Sequence, residues 1–82
     1  MMRFIKTADA AFLNTAQITT LYAESAGEQH YVAAGLVDCK KHMILSKGFP
    51  DAEAAQRYLR RLVIALTTTE KKVIEVKNYE AD

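Results

Sequence analysis

Cys39 and His42 stand in a C-x-x-H spacing, with Asp38 just before them and a second histidine, His30, earlier in the chain. Such pairs hold zinc when a second pair completes the tetrahedron, because a structural zinc ion takes four protein ligands. With one cysteine and two histidines, the chain offers three nitrogen or sulfur ligands at best, plus a carboxylate such as Asp38. A polar hairpin turn accounts for the same residues, so no metal is expected. Lys40, Lys41 and His42 beside Cys39 would favour its thiolate. That makes a reactive cysteine but not an enzyme, since no second group is positioned with it. Glu24, Glu28, Asp38, Asp51 and Glu53 are scattered over expected turns and a helix start, and their spacing pairs none of them as general acid and base. There is neither a G-x-S-x-G turn nor a glycine-rich nucleotide fingerprint. No catalytic residue and no cofactor are assigned.

The basic side chains offer a second chemistry. Arg57, Arg60 and Arg61, together with Lys40, Lys41 and Lys47, are the one basic concentration, and arginines on a shared helix face can grip phosphates. Tyr22, Tyr31, Tyr58 and Tyr79 could add stacking surfaces for bases. Against a polyanion stands the charge balance: 11 basic and 10 acidic residues give a net charge of +1, too weak a field to steer one. Nucleic-acid binding is kept as the alternative reading.

Those residues need elements to position them. Eighty-two residues, half of them hydrophobic, suit one domain of a size at which a single core has little stability to spare, which favours assembly. Strands are expected at Arg3 to Lys6, Ala11 to Asn14, Gln17 to Glu24, His30 to Asp38 and His42 to Lys47. Ile18 and Leu21 sit three apart and cannot share one face of a regular strand, so a bulge near Thr19 and Thr20 is expected. Gly27 marks a tight turn, and Gly48 to Asp51 is expected to end the sheet. Asp51 caps a helix from Ala52 to about Leu66, whose stripe of Ala55, Tyr58, Leu59, Leu62 and Leu66 recurs at steps of three or four. Val73 to Tyr79 alternates as a last strand, either paired in its own chain or exchanged with another. The longest apolar run, Leu62 to Leu66, is far short of the roughly 20 residues of a membrane helix. A cytoplasmic protein without a membrane anchor is expected.

The stretches FLNTAQITTLYAE, YVAAGLVD and MILSKGFPDAEAAQRYLRRLVIAL resemble, in that order, a loose class of short bacterial and phage-associated proteins with a β-meander followed by one helix. The helix opens on an F-x-[TD]-x-E-x-A pattern, here Phe49, Asp51, Glu53 and Ala55. The likeness covers residues 3 to 66 and carries no catalytic or ligand residue. The expected architecture is α+β: an antiparallel sheet of about five strands, one helix on one face, and a strand after it. Tyr22, Tyr31, Ala33, Val37 and Ile64 are then apolar residues left without a cover, so a homo-oligomer is expected to use them as its interface. The function expected is a non-catalytic binding or scaffold role, with self or another protein as partner.

Overall fold

The computed structural model describes residues 3–37 and 42–80. The fold is α+β; the described residues form six strands in two three-stranded sheets, one α-helix and a single 3-10 turn at Thr15–Gln17. The larger sheet is an antiparallel meander of β3 (Ile18–Ala26), β4 (Gln29–Leu36) and β5 (His42–Phe49). The smaller joins β1 (Phe4–Lys6) to β2 (Phe12–Asn14) antiparallel and to β6 (Val73–Glu75) parallel. The last strand therefore pairs within its own chain.

The bulge in β3 falls where Ile18 and Leu21 require it. Ile18 pairs with Leu36 and Thr20 with Gly35, leaving Thr19 as the extra residue, and both apolar side chains then pack on the core. A two-residue turn at Gly27 and Glu28 closes the β3–β4 hairpin, with Gly27 at φ 62° in the conformation that glycine adopts without steric cost. Strand β5 runs through the expected break to Phe49 because Gly48 takes φ 91°, beside Tyr79.

The helix α1 (Ala52–Thr68) starts at Asp51, whose carboxylate accepts the Ala54 N–H at 2.7 Å. It buries Ala54, Ala55 and Leu62 against one face of the meander. The small sheet packs on the same side, so Ile5, Leu13 and Val76 join Val32, Ala34, Leu45 and Phe49 in a single core. Arg3 ties the two parts by donating from Nη1 to the Leu66 carbonyl near the helix C-terminus, where a cation is favoured. Beyond β6 the chain continues along β5. The Val76 N–H donates to Lys6, the Ser46 hydroxyl to the Lys77 carbonyl, and the Tyr79 N–H to Lys47. None of the described helices is long and apolar enough to cross a membrane.

Candidate functional site

Alternation along β4 divides its side chains between two environments. Val32, Ala34 and Leu36 face the helix, while Tyr31, Ala33 and Gly35 face the other way. Register places Tyr22 and Ile44 on either side of Ala33, and Thr20 and His42 on either side of Gly35. This outer face is a shallow trough. Its floor is Ala33 and Gly35 of the central strand; Tyr22 of β3 stands on one side and His42 and Ile44 of β5 on the other, the Tyr22 and His42 rings meeting over the floor, while Tyr31, on the central strand itself, closes one end. Ile44 is 45% exposed, whereas Ala33 is fully covered by its neighbours.

Hydrogen bonding stiffens that end. The Tyr31 hydroxyl donates to Glu24 Oε2 at 2.9 Å. That bond, with some desolvation and the charge of Glu24, raises the Tyr31 pKa above the ordinary 10.0. Desolvation, followed by the charge of Glu24, raises the Tyr22 pKa in the same direction. Both shifts favour the neutral, donating form of the phenol. At one end of the trough a groove of about 530 Å³ opens between the Thr7–Ala11 loop and the start of β5, lined by Asp9, Ala11, His42 and Ile44 among others.

Of the five expected interface residues, Tyr22, Tyr31 and Ala33 come together on this face, Ala33 as floor. Val37 lies just past the end of β4 and is 40% exposed. Ile64, 59% exposed, is on the solvent side of the helix, across the molecule from the trough, because two residues turn a helix by about 200° from the buried Leu62. Ile44 is a residue of this face that the sequence did not point to, and His42 was singled out only as a candidate metal ligand. Their alternation with the more deeply buried Met43 and Leu45 was the available signal.

Arg57, Arg60 and Arg61 are all exposed. Arg57 and Arg61, one turn apart, line a groove of about 370 Å³ with Phe49, Tyr58 and Tyr79. Phe49 packs against both tyrosines, with ring centroids 5.3 and 5.7 Å away. Arg60 is not part of that lining. Asp38, Cys39, Lys40 and Lys41 lie outside the described residues. His30 pairs with Ser25 on the helix side of the sheet, its Nδ1 sharing a hydrogen bond with the serine hydroxyl, while His42 faces the trough. The two histidines thus point to opposite sides and cannot share an ion. Among the described residues no three histidine, cysteine or acidic side chains converge on a metal position.

No family model, curated protein or solved structure matches the chain.

Proposed function

We propose that the protein is a small non-catalytic binding module that acts as a homo-oligomer and presents the outer face of its meander as the working surface. The observation that carries this reading is the trough itself. Tyr22, Tyr31, His42 and Ile44 stand around a floor of Ala33 and Gly35, with tyrosine, the residue type that interfaces favour, on one wall. Aromatic side chains of this kind supply large contact area with few torsions to freeze, and a phenol that still donates a hydrogen bond. The chain's small size adds to the case, since assembly supplies stability that one small core does not.

Solution mass by light scattering across a concentration range tests this reading. A stable multiple of the 9.2 kDa chain, dissociated by Tyr22→Asp, supports it. A monomer at every concentration overturns it.

A second reading is favoured by the groove at Arg57 and Arg61. Two guanidinium groups beside the partly exposed Tyr79 suit a ligand that combines an anion with a flat ring, as a nucleotide unit in a single strand does. Binding of a short single-stranded oligonucleotide that weakens steeply with salt, and is lost in the Arg57→Ala/Arg61→Ala double variant, would establish it. Binding that is absent at low salt would remove it.

A further inference from the structure

The strands of the meander are not equally protected. Strand β5 has its outer edge occupied by other parts of the chain: Ala8 donates to the Leu45 carbonyl, Tyr79 to the Lys47 carbonyl, and the Lys47 N–H to Asn78 Oδ1. Strand β3, at the other end of the sheet order, is nine residues long and pairs only with β4 among the described residues.

The hairpin fixes which of its backbone groups are spare. Ala26 and Gln29 close a two-residue turn and exchange both hydrogen bonds, so alternation directs the N–H and C=O groups of Ala26, Glu24, Tyr22 and Thr20 towards β4. Those of Leu21, Ala23 and Ser25 point away from the sheet. Exposed edges are usually blunted by lysine, proline or a central bulge. Strand β3 holds neither residue, its one bulge lies at its first turn of register, and its single charge is Glu24.

We infer that this edge is the seam of a homodimer, two copies of β3 pairing antiparallel about a two-fold axis at Tyr22 so that their meanders fuse into one sheet. The inference rests on the homo-oligomeric reading above and adds its geometry. Tyr22 is the midpoint of Ile18–Ala26, so this register overlaps the whole strand. It sets Leu21 opposite the partner's Ala23 on the helix side and Thr20 opposite the partner's Glu24 on the trough side. Apolar meets apolar, and the two glutamates are kept apart; like charges placed directly opposite would destabilise the pair.

The helix contributes to the same side. Ala52, Gln56 and Val63 lie on one stripe of α1, and Ala52 and Gln56 line a cleft with Ala23, Glu24 and Ser25. The start of that stripe lies beside β3, and Val63, further along it, is a 41% exposed apolar side chain. A second copy fits because the strand is complementary to itself in this register, charge included. A strand from another protein would owe nothing to that match.

Light scattering combined with amide hydrogen exchange tests the seam. The expected result is a dimer in which exchange at the Leu21 and Ala23 amides is slowed by about 100-fold or more, with protection lost on dilution. Ala23→Pro removes an outward N–H that β4 does not use, so it is expected to keep the circular dichroism of the fold and yield a monomer. In a Cys39→Ser background, Tyr22→Cys is expected to form a disulfide between copies, because directly opposed residues of a non-hydrogen-bonded pair lie close enough to bridge. An oligomer whose Leu21 and Ala23 amides exchange freely would overturn the seam while leaving the homo-oligomeric reading intact. A monomer at every concentration, with the edge vacant or taken by a foreign strand, would overturn both. Should Ala23→Pro fail to fold, exchange in the unaltered protein still decides.

Discussion

Tyr22 and His42 stand edge to face, ring centroids 5.3 Å apart and planes at 89°, although their strands never pair and a whole strand lies between them. The contact exists because the intervening strand presents Ala33 and Gly35 beneath it, too small to separate the rings. A T-shaped pair of this kind contributes roughly 0.5–1.5 kcal/mol beyond its buried area, and here it also braces the two walls of the trough.

The space above Gly35 is measurable by substitution. A methyl group there would meet Thr19 Oγ1 at 3.5 Å, Thr20 Cβ at 3.6 Å and His42 Nδ1 at 3.8 Å, all ordinary contacts. Gly35→Ala is therefore expected to fold normally and to raise stability by about 0.4–1 kcal/mol through the loss of unfolded-state freedom. Urea denaturation checks this; a loss of more than about 1 kcal/mol would show the strand to be tighter than its geometry.

Leu45 and Ile64 make a contrast between two aliphatic residues of the same size. Leu45 is fully buried and Ile64 is 59% exposed. Leu45→Ala is expected to cost about 2–5 kcal/mol, the range for emptying a core position. Ile64→Ala should stay within about 0.5 kcal/mol of the starting protein. A large loss for Ile64→Ala, growing with protein concentration, would instead place it in a contact between copies.

How far these outcomes were legible beforehand depends on the range of the interaction. The helix was readable because its signals are local: an aspartate cap at Asp51 and a buried stripe through Ala55 and Leu62. The bulge at Thr19 was readable for the same reason, since Ile18 and Leu21 compete for one face within four residues. The parallel pairing of β1 with β6 left no trace, because two strands of three residues each carry no period that names a distant partner. Gly48 misled for a different reason. Glycine before Phe49-Pro50 reads as a break, yet the strand uses its positive φ to pass beside Tyr79 and continue. The trough needed the register of three strands at once, so Tyr22 and Tyr31 were read as surface residues, His42 only as a candidate metal ligand, and Ile44 not at all.

Asp51 offers a clean measure of one local signal. Its side chain satisfies the Ala54 N–H, one of the orphan donors of the first helical turn. Asp51→Ala should lower stability by about 0.5–2 kcal/mol, and Asp51→Ser should restore most of it. Thermal unfolding of the three proteins provides the test, and equal midpoints would show that the cap contributes nothing.

The phenols of the trough add a small contribution that fades at alkaline pH. Tyr31 titrates above 10.0 because its hydrogen bond to Glu24 holds the neutral form, with desolvation and nearby charge adding to it. A folded value above the unfolded one means that this contribution is complete below pH 10.0 and is lost as the pH rises through the folded value. Tyrosinate absorbance should show Tyr31 ionising late in the folded protein, and Glu24→Ala should bring its titration back towards 10.0. An unchanged titration in that variant would show that the bond to Glu24 does not govern it.

The parallel pairing of residues 4–6 with 73–75 also sets the order in which the protein can mature during synthesis. Strand β1 is made well before β6, one of its two neighbours, and Val76, which completes the core, follows β6. Until then the nascent chain carries Ile5 and Leu13 in a half-built sheet, and β5 lacks its Asn78 and Tyr79 partners at Lys47. Closure therefore waits for residues 73–79, so a chain cut short before them would expose apolar strands to chaperones and proteases.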